Sequence, residues 1–374
     1  MDFSFDEDQT AVAQLARQVF SDLVTPERLA ARQTSGSDWD EELWRVLAGA
    51  GLLGIALPED VGGAARGVVE AGLVAWEAGR CVAPAPLSGV LAAALALAGL
   101  PAALRPDRLL AEIAAGRALV IPSVAGAQEA VRPIALKPVE GGWTAHGTLP
   151  VVPYATIADR LLVAAVDPHG ARFAVLLQPR LPGVVVEPVE TSGVDVCARV
   201  AVEGPLLRDG DVFAGEAGIA LLERARLHHL VLSTAEICGL AKAALRLTAD
   251  YTTRRRQFGR PLGSFQAVAN RVADGFIDLQ AMTWTMWKAA NLLDQGEDAR
   301  DAVSVARFWA AEGGHRIISA AHHLHGGVGI DLDYQLHRYF FRFKTLEFTL
   351  GAAAEHLAGL GRSLATRSRP GGAL

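Results

Sequence analysis

The chain changes texture twice, from helical periodicity to short β-branched runs and back, and this order constrains the fold more than any single motif. Near the N-terminus Val12, Leu15, Ala16, Val19, Phe20 and Leu23 recur at helical spacing and make one apolar stripe. Ser4 and Glu7 stand just ahead of it at the spacing of a capping box. A second helix is expected from Asp40 through Leu47, followed by the Gly-punctuated stretch Ala50–Gly54 and a Pro58/Gly62/Gly63 turn. Helical patterning resumes over Val68–Ala78 and Leu87–Leu97. Between Arg117 and Phe213 the runs Ala118–Ile121, Leu161–Val166, Phe173–Leu177, Val184–Val186 and Arg199–Val202 are separated by Pro, Gly and Asp, which predicts an antiparallel β domain. From Gly215 to Arg362 the helical period returns. Leu227, Leu230, Val231, Thr234, Cys238, Ala241, Leu245 and Thr248 mark one face of a helix of about seven turns. The expected class is α+β without an internal repeat: a helical domain over 1–116, a β domain over 117–213 and a helical domain over 214–374.

Composition narrows the possible roles. Over 374 residues, 35 Lys and Arg against 41 Asp and Glu leave a formal charge of −6, and 51% of residues are hydrophobic. A large core can form, and mild acidity without a basic run speaks against nucleic acid as a partner. Asp2, Glu7 and Asp8 replace the basic segment of a signal peptide. The apolar stretch Leu87–Leu104, flanked by Gly and Pro and rich in Ala, reads as a buried helix and not a membrane span. Cys81, Cys197 and Cys238 are far apart and odd in number, so neither a disulfide framework nor a zinc spacing is expected. These features predict a cytoplasmic protein.

Three segments carry possible chemistry. Arg254-Arg255-Arg256-Gln257-Phe258-Gly259-Arg260-Pro261-Leu262 lies where the long helix ends, and Phe265-Gln266 opens the next. Guanidinium groups pair bidentately with phosphate oxygens, and Gly lets backbone come close, so this is either an anion site or a solvated turn. His322-His323-Leu324-His325-Gly326-Gly327-Val328-Gly329 offers glycine N–H groups to a pyrophosphate. Its three His on one turn cannot converge on a zinc ion, and a plain helix-to-loop junction is the other reading. The charged run Asp331–Lys344 reads by itself as a solvated or interfacial face.

In order and spacing these segments resemble the acyl-CoA dehydrogenase family over nearly the whole chain. The resemblance rests on Phe5–Leu15, on Trp44 with Gly51-Leu52-Leu53-Gly54-Ile55-Ala56-Leu57-Pro58-Glu59, on the Arg-x-Gln-Phe-Gly-x-Pro block and on the Gly-Gly-x-Gly block. It implies an N-terminal helical domain, a middle β domain, a C-terminal four-helix bundle, bound FAD, and tetramers built as pairs of dimers. In that family a carboxylate removes the proton α to a thioester while hydride leaves the β carbon for the flavin. That chemistry needs a positioned base and donors to the thioester carbonyl.

The resemblance also exposes what is missing. Counted without gaps from Gly326, the family's usual base position is Leu350, which cannot take a proton. The other base position, twenty-nine residues before Phe258, is His229, with Glu236 on the same helix face. The family's Thr-Glu-Pro-Gly-Ala-Gly-Ser-Asp loop, which contacts flavin and substrate, corresponds to Pro122-Ser123-Val124-Ala125-Gly126-Ala127-Gln128 and keeps almost none of it. The Trp-x-Thr element that lines the flavin ring falls at Val151-Val152-Pro153. By contrast, Arg255, Gln257, Phe258, Gln266, Gly326 and Gly327 match the family pattern, with His323 where Gln is usual. In the family's dimers these retained segments reach the flavin of the neighbouring subunit.

The half-site offered to a neighbour is thus kept and the half-site kept at home is lost, a sorting that random decay does not predict. The resemblance therefore implies a non-catalytic subunit of a heteromeric (α2β2) enzyme, as known among actinobacterial acyl-CoA dehydrogenases for steroid side chains. It would share FAD with a homologous subunit that holds the acyl-CoA, with an electron-transferring flavoprotein or similar acceptor downstream. Two alternatives remain open at this point. One is an active homotetramer using His229 or Glu236 as an atypical base, and the other is a scaffold of the same fold without a redox role.

Overall fold

The computed structural model describes residues 4–35, 39–123 and 133–367. The described N-terminal residues form the α-helices α1 (Glu7–Leu23), α2 (Pro26–Ser35), α3 (Glu41–Gly49), α4 (Val68–Cys81), α5 (Leu87–Ala98) and α6 (Asp107–Ala114). The expected capping box is shifted by two residues. Asp6 Oδ1 accepts the Gln9 N–H at 2.7 Å and Gln9 Oε1 accepts the Asp6 N–H at 3.2 Å, so Asp6 and Gln9 replace Ser4 and Glu7. Asp40 caps α3 as its position suggests, accepting the Leu43 N–H at 2.9 Å.

The middle part is an eight-stranded sheet built from β1 (Val120–Ser123), β2 (Ile134–Val139), β3 (Gly142–Pro153), β4 (Arg160–Val166), β5 (Arg172–Leu177), β6 (Val184–Val189), β7 (Cys197–Leu207) and β8 (Val212–Ala214). The order is β6-β7-β3-β2-β4-β5-β8, with β1 beside β4. Most pairs are antiparallel, as expected, but β4 pairs in parallel with β1 and β2. The runs over β4 and β5 are apolar on both faces because the sheet is covered on both sides there, α7 crossing β5. Strands β2 and β3 show no clear alternation in sequence, since Lys137, Pro138, His146 and Gly147 interrupt them.

The C-terminal part is a bundle of α7 (Gly215–Arg254), α8 (Gln266–Asp294), α9 (Arg300–His325) and α11 (Ala353–Arg367), with α10 (Leu336–Thr349) packed across α7 and α9. Helix α7 has 40 residues, longer than the seven turns its apolar stripe marks. Over Leu230–Ala241 it is buried all round, because α4 and α5 cover one side and α8 and α9 the other. A single face is therefore the wrong template for that stretch. Helices α4 and α7 cross in backbone contact. A Cβ on Gly79 would overlap the Glu236 carbonyl, and one on Gly239 would overlap that of Trp76. Asp294 at the end of α8 accepts the N–H groups of Val68 and Val69 and so caps α4 across the same junction. No helix among the described residues is long and apolar enough to cross a membrane.

Candidate functional site

Two regions draw the sequence-derived candidates together. The first is a slot of 390 Å³ between α5, the ends of β1 and β3, the 191–197 loop, α7 and α10. Leu350 and His229 both line it, as do Val151 and Pro153, so the positions expected from the sequence for the base and for the flavin wall share one cavity. Of the altered loop, Pro122 and Ser123 also line the slot, while Val124–Gln128 lie outside the described residues. Leu350 is 1% exposed. Its segment is fixed by Arg307 Nη2, which donates to the Leu346 and Gly351 carbonyls at 3.4 Å, and by His356 Nε2 at 3.0 Å from the Leu350 carbonyl.

The slot contains charge, but that charge is already paired. Arg342 Nε donates to Glu236 Oε1 at 2.7 Å and its Nη2 lies 2.6 Å from the same oxygen. Ser88 Oγ donates to Glu236 Oε2 at 2.6 Å. Arg342 Nη1 and the Tyr154 hydroxyl both donate to Asp195 Oδ1. Burial alone would push the Arg342 guanidinium down, but Asp195 and Glu236 reverse this and hold it well above its usual range. Burial, then Asp195, raises the Tyr154 hydroxyl well above its usual range. Arg342 and His337 are buried, which corrects the reading of Asp331–Lys344 as one solvated or interfacial face.

Neither alternative base is well placed to act. Both oxygens of Glu236 are already occupied, one by the Ser88 hydroxyl and the other by the Arg342 guanidinium. His229 has its pKa lowered to about 4, first by burial and then by Arg307 and Arg342, and its Nδ1 has no hydrogen-bond partner among the described residues. An imidazole so disinclined to protonate is a poor acceptor for an α proton near neutral pH.

The second region is an exposed tip at one end of the bundle. Strands β9 (Arg256–Gln257) and β10 (Arg260–Pro261) form a hairpin between α7 and α8, turning through Phe258 and Gly259 with φ of +52° and +79°. Two successive left-handed residues make a two-residue hairpin turn that normally takes Asn-Gly, and a Phe there is strained. Phe258 is nevertheless 92% exposed. Arg255, Gln257 and Gln266 are exposed beside it, and Arg255 forms no ion pair among the described residues. Gly326 ends α9 with φ +61°, and a Cβ on it or on Gly327 would meet nothing within 4 Å, so that backbone stands open.

Tyr251 joins the two halves of the tip. Its carbonyl accepts the Arg255 N–H at 2.8 Å, and its ring stacks on His325 at 4.3 Å. His325 in turn donates Nδ1–H to Ala321 O at 2.8 Å and accepts from the Tyr334 hydroxyl at 3.0 Å. His323 lies apart from the hairpin, in a groove between α8 and α9 lined also by Arg271, His315 and Arg316. Among the described residues no three His, Cys, Asp or Glu are grouped so that they could hold a metal ion.

Two family profiles cover these parts of the chain. "Acyl-CoA dehydrogenase, N-terminal domain" matches residues 6–116, and "Acyl-CoA dehydrogenase, C-terminal domain" matches residues 216–365. The chain belongs to the acyl-CoA dehydrogenase family. It is 34% identical over 382 residues to acyl-CoA dehydrogenase FadE27 of Mycobacterium tuberculosis, covering 98% of this chain and 99% of that protein. The crystal structure of the ChsE4-ChsE5 complex from Mycobacterium tuberculosis superposes with a TM-score of 0.91 at 32% identity, covering 99% of this chain and 100% of the other. A variant of the Tcur3481-Tcur3483 steroid ACAD superposes with a TM-score of 0.88 at 38% identity, over 97% and 99% of the two chains. The acyl-CoA dehydrogenase architecture of N-terminal helices, central sheet and C-terminal bundle is thereby established. Solved structures of this fold hold FAD, at 21% identity to this chain.

Sequence reasoning missed Ser88, Tyr154, Asp195 and Arg342 as slot residues. One signal pointed to them. Glu236 stands within Val231–Leu240, an otherwise uncharged stretch of α7, and a buried carboxylate there requires a donor from elsewhere.

Proposed function

We propose that this acyl-CoA dehydrogenase chain is the base-less subunit of a heteromeric FAD-dependent acyl-CoA α,β-dehydrogenase and completes the flavin site of a homologous partner. One observation carries the reading. Among the described residues the slot has no free carboxylate, since Arg342 holds both Glu236 and Asp195, while the tip leaves Arg255, Phe258 and the glycine backbone exposed.

The residues fit FAD at the tip and not in the slot. Arg255 would pair with the pyrophosphate, since a guanidinium offers two parallel N–H groups to phosphate oxygens. Gln257 and Phe258 would hold the isoalloxazine or ribityl region, with Gln266 beside them, while His323 would meet the cofactor only from the neighbouring groove between α8 and α9. Gly326 and Gly327 would admit the adenosine diphosphate to backbone contact. Bound FAD would supply the acceptor for hydride leaving the β carbon, the partner supplying the carboxylate base and the acyl-CoA pocket. Electrons would pass on to an electron-transferring flavoprotein or a similar acceptor. The similarity to the ChsE4-ChsE5 complex and to the Tcur3481-Tcur3483 steroid ACAD supports an assembly of two different subunits and a bulky acyl group.

Co-expression with a homologous subunit that carries the base, followed by counting FAD per chain, tests this. The expected stoichiometry is one FAD per two chains. Arg255→Ala should then weaken FAD retention by roughly ten- to a hundred-fold, the value of a charge-assisted contact. Unchanged FAD retention in the Arg255→Ala complex would contradict the proposal.

A further inference from the structure

The ion network in the slot does more than lack a base. Its members come from all three parts of the fold: Ser88 from α5, Tyr154 and Asp195 from the sheet region, Glu236 from α7 and Arg342 from α10. Arg342 is the hub, with its three nitrogens shared between two carboxylates. Next to it the 191–195 loop presses on α10. The Val194 N–H donates to Thr345 Oγ1 at 3.1 Å, and a Cβ on Gly193 would come within 2.9 Å of that oxygen.

We infer that Arg342 is a ligand-independent lock: by bridging Glu236 and Asp195 at the wall of the slot it fastens the sheet region to both sets of helices. The physical reason is asymmetry. A buried ion pair gains little over apolar packing, but removing one partner strands the other charge in a low-dielectric site. The lock therefore resists opening even though its formation contributes modestly. This goes beyond the proposed role, because it requires neither a partner chain nor a flavin.

The test is a stability cycle on the full chain, read by thermal melting and by Glu-C proteolysis. Arg342→Met should lower the melting temperature by about 4–7 °C and should speed cleavage after Glu190, beside the released loop. The triple variant Asp195→Asn, Glu236→Gln, Arg342→Met removes the stranded charges and should recover at least half of that loss. If Arg342→Met fails to fold, recovery of folded protein in the triple variant supports the lock equally, and a triple variant that also fails to fold overturns it. The lock is likewise overturned if Arg342→Met melts with the wild type, or if the triple variant is no better than the single one. Failure of the proposed function reads differently: added FAD would then raise the melting temperature of the isolated wild type.

Discussion

The slot and the tip are built from the same kinds of residue and treat them in opposite ways. In the slot, Arg342 is buried and bridges two acids. At the tip, Arg255 is exposed and forms no ion pair among the described residues. In the slot the carboxylates of Asp195 and Glu236 are bonded to donors from other parts of the fold, whereas the tip holds an aromatic ring in water on a strained turn. An interior optimised for folding satisfies its polar groups, and a surface that leaves an aromatic and a guanidinium unsatisfied is arranged for something outside the chain. The contrast separates a part of the chain that serves its own stability from a part that, under the proposed function, would serve a neighbour.

Acid offers the largest way to sharpen that contrast. His228, His229 and His356 each have a pKa lowered to about 4, by burial first and then by nearby Arg224 for His228, by Arg307 and Arg342 for His229, and by Arg307 for His356. The unfolded chain binds these protons near pH 6.5 and the folded chain does not. Stability is therefore greatest above pH 6.5 and falls as the pH drops toward about 4, by up to roughly 1.4 kcal/mol per pH unit for each group. Urea titrations between pH 7 and 4 should show this slope, and a flat profile would mean that the interior imidazoles are not neutral and buried.

Next in size, Glu236→Leu should cost about 3–5 kcal/mol of folding free energy, because Arg342 loses one of its two acids. A loss under about 1 kcal/mol in denaturant titration would erase the distinction between slot and tip. The matching change at the tip, Arg255→Ala, should leave folding within about 0.5 kcal/mol of wild type. In the opposite direction, Phe258→Gly should raise stability by up to about 0.5 kcal/mol, since glycine takes φ +52° without strain. The same variant should weaken FAD retention in the complex. A destabilised Phe258→Gly protein would show that the ring supports its own hairpin, where it makes an edge-on approach to Phe265 at 6.2 Å.

The tip was legible in sequence because it is local: the hairpin and the double glycine are each contained in a few consecutive residues. Leu350, the position where spacing from Gly326 puts the family's base, lines the same cavity as His229 and Val151. The lock was not legible. Asp195 and Arg342 meet across 147 positions, and Arg342 lay in a charged run that resembles a solvated face. Strands β2 and β3 escaped because a Pro, a Gly and several polar residues break their alternation, which an exposed stretch of antiparallel sheet tolerates.

Visible absorption and turnover of the chain purified alone, set beside the same chain co-purified with a base-carrying homologue, test the central claim most directly. The account predicts a colourless, inactive protein on its own and a yellow, active pair. A lone chain that retains flavin and oxidises an acyl-CoA would contradict it.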